Sequence, residues 1–186
     1  MDKSEISLKS LLFMKGQSER VPGKNLRDFN GKPLFHWILE TLSKINFIDE
    51  IIINTDSEEI ANSAKSHFKV TIHERPNYLL NIQKNEPNQI MDYDLTKVKG
   101  DFFLQTHATN PLLSKKTIIN AILTFFKNYP KYDSLFSVTD IQTRLYDNSF
   151  NPLNHNPRNL IKTQELPVVY EENSCLYIFS RDSFNK

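Results

Sequence analysis

Along the 186-residue chain, short β-rich apolar runs alternate with stretches in which apolar side chains recur every three or four positions. Runs at 6–14, 50–55 ("EIIINT"), 69–72 ("KVTI"), 101–106 ("DFFLQT"), 134–139 ("SLFSVT") and 175–180 ("CLYIFS") predict six strands. Leu34, Trp37, Ile38, Leu42 and Ile45 share one helical stripe, with Pro33 suited to its first turn. Ile60, Ala64 and Phe68 mark a second helix, for which Asp56 and Glu59 are the expected caps. Ile118, Ile119, Ile122, Leu123 and Phe126 mark another, opened by Ser114, and a weaker helix is expected over 87–97. This alternation predicts an α/β domain with a largely parallel sheet. Residues 141–172 lose it, carrying three of the nine prolines, and read as an excursion from the single domain, a lid or an intersubunit arm.

Charge adds a contrast to this pattern. Lys plus Arg number 23 and Asp plus Glu 22, a net charge of +1, so neither nucleic acid nor a membrane surface is the expected partner and a local cluster of cations carries weight. No apolar run nears the roughly 20 residues of a membrane span, and "MDKSEISLKS" is too polar for a secretory signal, so a cytoplasmic protein is expected. The lone Cys175, inside "CLYIF", reads as a buried structural thiol.

The cluster is "MKGQSERVPGKN", residues 14–25, where Lys15, Arg20 and Lys24 crowd a turn-rich loop leaving the first strand. In open parallel sheets that edge binds ligands, and glycines with free amides beside cationic heads suit a phosphate chain. A Walker loop is excluded, since "GKN" and "GKP" both lack the required Ser or Thr, and no GxGxxG is present. "DYD" at 92–94 spells the acidic pattern of metal-dependent glycosyltransferases, but it falls inside the expected helix, where a solvated face is the simpler reading. None of the five histidines shows metal-ligand spacing; His107 reads as a loop hydrogen-bonding residue.

"MKGQSERVPGKNLRDFNGKPLFHWILETL", "IIINTDSEEIANSAK", "ERP", "FLQTHATNPLL" and "YEENSCLYIFS" together resemble the acylneuraminate cytidylyltransferases, the CMP-sialic acid synthetase family, from about residue 8 to the end. The resemblance implies a Rossmann-like three-layer α/β/α nucleotidyltransferase fold with an inserted dimerisation arm, here 141–172 of a single domain 1–186. It implies transfer of CMP from CTP to the anomeric hydroxyl of a 2-keto-3-deoxy, sialic-acid-like sugar acid, with release of pyrophosphate, by a homodimer. The rival readings are a member that binds CTP without efficient turnover, a nucleotide-sugar-dependent glycosyltransferase, and a non-enzymatic interaction module.

Residue by residue, the resemblance makes Lys24 the lysine that neutralises the triphosphate and places Lys15, Gly16, Ser18, Arg20 and Asn25 around the nucleotide. Arg75 of "ERP" falls on the cytidine side, and Gln105 and Asn173 face the acceptor sugar. The sugar carboxylate calls for a cation from the arm, Lys162 or Arg158. Magnesium is the expected cofactor, but the acidic C-terminal segment that holds it in relatives has no counterpart before "RDSFNK", and "RPNYLLNIQKN" lacks the family's aspartate.

Overall fold

The computed structural model describes residues 7–18, 20–80 and 86–186. Within these, β1 (Leu8–Met14), α1 (Leu34–Leu42), β2 (Ile48–Thr55), α2 (Glu58–His67), β3 (Thr71–Glu74), α3 (Glu86–Lys97), β4 (Phe102–Thr106), α4 (Lys115–Asn128), β5 (Ser134–Ile141), β6 (Val169–Ser180) and α5 (Arg181–Phe184) follow one another. The six strands form one sheet in the order β3-β2-β1-β4-β6-β5. β1 runs parallel to both β2 and β4, β2 is parallel to β3, and β6 is antiparallel to β4.

Alternation along the strands builds three layers. Leu8, Leu12 and Met14 of β1, with Ile51, Ile53, Leu104 and Ile178, face Phe35, Ile38, Ile60, Ile118 and Ile122 of α1, α2 and α4. Their intervening neighbours Leu11, Ile52, Phe103 and Phe179 face Leu95 of α3, with Phe184 of α5 packed alongside. Each such fully buried side chain contributes roughly 1.5–3 kcal/mol over its exposed state.

Several boundaries differ from the sequence reading. β3 lies two residues later than 69–72, because its parallel register pairs Ile52 with Thr71 and Thr55 with Glu74. β2 begins at Ile48, opposite Leu8, and residue 6, the expected start of β1, falls outside the described residues. β6 begins at Val169 rather than 175, and the early half of the strand is largely exposed, so no apolar alternation signals it. The N-cap of α2 is Ser57, whose Oγ accepts the Ile60 N–H at 3.3 Å, and not Asp56, which is engaged elsewhere. Ser114 does cap α4 through Thr117 N–H.

The chain divides into two compact units, one running to Leu135 and resuming at Cys175–Lys186, the other Phe136–Ser174. The expected arm, 141–172, lies inside the second. No helix among the described residues is long and apolar enough to cross a membrane. Cys175 is half-buried and its Sγ lies 3.5 Å from Asn110 Oδ1.

Candidate active site

β1 has β2 on one side and β4 on the other, so its carboxyl end marks the point where the strand order reverses, the place where open α/β sheets hold ligands. A cavity of about 670 Å³ opens there, within the first unit. It is lined by Phe13, Lys15, Gln17, Ser18, Arg20, Lys24 and Asn25 from the first loop, Asp56 after β2, Arg75, Leu80, Pro87 and Ile90, and His107, Ala108 and Thr109 after β4.

The loop is pinned at three points. Gly16 N–H donates to Asp56 Oδ1 at 2.7 Å, which ties the end of β1 to the end of β2. A Cβ on Gly16 would lie 2.9 Å from Ser57 Cβ, so the loop passes the start of α2 at a distance only glycine allows. Buried Asn25 donates its amide to the Lys15 carbonyl at 2.9 Å, closing the loop on itself. Gly23 turns the chain at φ +62°, a left-handed conformation suited to glycine, and its carbonyl accepts from Leu26 and Arg27. Lys15 and Lys24 therefore sit on pinned stretches of this loop, and with Arg20 and, from beyond β3, Arg75 they would present charge from several directions to a polyanion in a partly desolvated place.

Arg75 is the buried cation of the group. Its Nε donates to Asn54 Oδ1 at 2.7 Å and its Nη2 to the Asn54 carbonyl at 3.2 Å. Asn54 Nδ2 donates to Asp94 Oδ1 at 2.8 Å, and His73 Nδ1 meets the same oxygen at 2.8 Å. The solvated-face reading of "DYD" is thus corrected: Asp92 is exposed, but Asp94 is completely buried against the sheet. Asn54 and His73 were given no role in the sequence reading and Asp94 was read as part of a solvated face, although Asp94 shares a helical stripe with Ile90, Met91, Leu95 and Val98, an apolar face on which an acid needs a partner. The same burial removes Asp94 from any glycosyltransferase-type metal site.

His107 is half-buried at the cavity wall, its ring nitrogens 3.2 and 3.5 Å from the Gln105 amide nitrogen. Burial, and then the nearby Lys24 charge, hold its pKa below the ordinary histidine value. Gln105 itself is buried and does not line the cavity; its amide lies against the Thr106 carbonyl and the His107 ring. Gly16 contributes backbone alone. Asn173, Arg158 and Lys162 belong to the second unit, where Asn173 Oδ1 accepts from Ser137 Oγ at 2.6 Å and the two basic residues are exposed.

A protein-held magnesium does not fit the donor set described. Among the described residues the cavity wall offers one carboxylate, Asp56, already accepting from Gly16, and no group of three or more His, Cys, Asp or Glu is placed to hold a metal. Asp182 lies in the first turn of α5, whose N-cap is Ser180 in a capping box with Ser183.

Fold and cavity define an α/β domain with a cation-lined cavity at the carboxyl edge of its sheet. The chain belongs to the Cytidylyltransferase family, whose family model matches residues 11–184. N-acylneuraminate cytidylyltransferase A of Danio rerio is 25% identical over 182 residues, covering 94% of this chain and 42% of that protein. Pseudaminic acid cytidylyltransferase of Campylobacter jejuni serotype O:2 is 28% identical over 173 residues, covering 88% and 74%. The chain thus spans less than half the length of the fish relative and about three-quarters of the bacterial one. Among solved structures, CMP:2-keto-3-deoxy-manno-octonic acid synthetase complexed with CTP superposes with a TM-score of 0.72 over 96% of this chain and 76% of that one, at 15% identity, a likeness of fold.

Proposed function

We propose that the first unit binds CTP in this cavity and transfers its CMP to the anomeric hydroxyl of a sialic-acid-like 2-keto-3-deoxy sugar acid. The observation that carries the reading is the convergence of Lys15, Arg20, Lys24 and Arg75 on one cavity at the carboxyl edge of β1, in a chain of the cytidylyltransferase family. The relatives named for N-acylneuraminate and pseudaminic acid support a nonulosonic acceptor.

In the reaction the sugar hydroxyl oxygen forms a bond to the α-phosphorus as the bridging α–β P–O bond breaks. Pyrophosphate departs with the electron pair, and the hydroxyl proton is lost to solvent. The protein's part in such a transfer is positioning and charge stabilisation. Lys24 and Lys15 neutralise the triphosphate, Arg20 and Ser18 extend the phosphate contacts, Asn25 holds the loop closed, and Arg75 faces the nucleoside. Gln105 does not reach this cavity and bonds its own loop instead, and Asn173, Arg158 and Lys162, read from the resemblance as acceptor contacts, lie in the second unit, so no acceptor role is assigned to them within the first. No step is routed through a metal, since the described donors of the cavity do not by themselves form a site for one.

The second unit exposes Phe136, Phe150, Leu153, Leu160 and Tyr170, apolar surface that suits a homodimer contact, to be measured by sedimentation. The decisive experiment incubates the protein with CTP, magnesium and a panel of nonulosonic acids and follows pyrophosphate release. Lys24→Ala should weaken CTP by about ten- to a hundredfold, the loss of a charge-assisted contact. Unchanged CTP affinity in that variant refutes the placement of the triphosphate; CTP binding without release for every acceptor favours a binding-only member.

A further inference from the structure

Of the four cations that line the cavity among the described residues, Arg75 alone is buried, 6% exposed, while Lys15 and Lys24 are half-buried and Arg20 is exposed. The groups behind it explain why it can be. A guanidinium only donates and an ionised carboxylate only accepts, so Asn54, lying between Arg75 and Asp94, has a single permitted orientation: its oxygen toward Arg75, its nitrogen toward Asp94. The same logic puts a proton on His73 Nδ1, which donates to Asp94 Oδ1. Asp94 Oδ2 is buried with no hydrogen-bond partner among the described residues. The carboxylate also sets a negative charge behind a buried positive one. Tyr93, beside Asp94, donates its hydroxyl to the Glu74 carbonyl at 3.0 Å, locking this turn of α3 to the segment that carries Arg75.

On this side Leu80, Pro87 and Ile90 join Arg75, an apolar surface with one fixed planar donor; Lys15, Arg20 and Lys24 of the first loop add the more exposed cations. The first suits a flat heterocycle with acceptor atoms, the second a phosphate chain.

We propose that Asp94 and Asn54 are positioning residues that fix the Arg75 guanidinium against the nucleoside end of the ligand, and so set the preference for CTP over other nucleoside triphosphates without setting affinity for the triphosphate. The proposal rests on the CTP reading of the cavity. Replacing Asp94 by Asn removes the charge and the constraint that an acceptor face Asn54: the amide at 94 can present either its oxygen or its nitrogen, and in the second case Asn54 turns its nitrogen to Arg75 and that bond is lost. The reciprocal exchange, Asn54→Asp with Asp94→Asn, restores a single arrangement: the carboxylate at 54 accepts from Arg75, and the amide at 94 donates to that carboxylate and to the other tautomer of His73.

Calorimetric titration with CTP, UTP and inorganic tripolyphosphate tests this. Asp94→Asn should weaken CTP about tenfold and narrow its advantage over UTP, with tripolyphosphate changed by less than about twofold, and the reciprocal exchange should bring CTP back to within about threefold of the wild-type protein. CTP binding unaltered in folded Asp94→Asn overturns the proposal, as does an equal loss of CTP and tripolyphosphate, or no recovery in the folded exchange variant. The wild-type protein supplies a measurement independent of either variant's folding: the Arg75 Nε–H should exchange slowly with water in NMR, and exchange as fast as that of an exposed arginine overturns the anchor. Failure of the wild-type protein to bind CTP sinks the nucleotide reading instead, while leaving that exchange prediction standing.

Discussion

Gly16→Ala offers a direct test of how the cavity loop is seated. Glycine's freedom of φ is not at issue, because Gly16 is not among the positive-φ residues and alanine can adopt its backbone. The obstacle is space: the added Cβ would stand 2.9 Å from Ser57 Cβ, a rigid atom that cannot swing aside, and 3.4 Å from Ser57 Oγ. Relieving it moves the loop away from α2 and stretches the 2.7 Å bond from Gly16 N–H to Asp56. Overpacking of this kind costs about 1–3 kcal/mol. For a protein of this size each kcal/mol lowers Tm by about 2–4 °C, so a fall of about 2–12 °C is expected by scanning calorimetry. Ser57→Gly removes the obstructing atoms and leaves only Ser57 Cα, at 3.7 Å, an ordinary contact. Its own cost is a few tenths of a kcal/mol, since glycine is tolerated at an N-cap. Gly16→Ala in the Ser57→Gly background should therefore lose about 0.5 kcal/mol or less, giving a coupling in the range of about 0.5–3 kcal/mol seen for residues in contact. An equal penalty in both backgrounds, or none in either, refutes the steric account.

Two further outcomes follow from the geometry. Because burial and Lys24 depress the His107 pKa, the unfolded chain takes up the proton first as pH falls below the ordinary value of 6.5, so His107's contribution to stability is full above that pH and declines below it; His107→Gln should flatten the acid limb of a Tm-against-pH curve, and an unchanged limb would count against it. Ser114→Ala removes the oxygen that accepts Thr117 N–H at 3.1 Å and should cost about 1 kcal/mol, or about 2–4 °C in Tm, without altering CTP binding.

What the sequence disclosed and what it hid divide along physical lines. β1, β2 and β4 carry apolar side chains on both faces and stand out as continuous runs, and α4 announces itself through Ser114 and an unbroken stripe. β3 slipped because "KVTI" looks more strand-like than "TIHE"; parallel register with β2, a long-range matter, decided it. The cations of the loop were legible because they crowd a short segment, and the structure gathers Lys15, Ser18, Arg20, Lys24 and Asn25 about one cavity with Arg75. The support behind Arg75 was not, since Asn54, His73 and Asp94 come from β2, β3 and α3 and meet only once the sheet is built. Asp56 was misread for a related reason: beside a helix start it resembles a cap, and nothing local reveals that Gly16, 40 residues earlier, claims it.

The placement of β6 bears on how the chain is made. β4 lies between β1 and β6, and its partner Leu176–Ser180 leaves the ribosome after all the other described strands. Until then every described wall of the cavity has been synthesised, yet one margin of β4 presents bare amides and carbonyls to its surroundings, a template for adhesion between nascent chains. Slow elongation through the second unit would lengthen that exposure, so expression yield should respond to codon choice over residues 136–174 more than over the early strands.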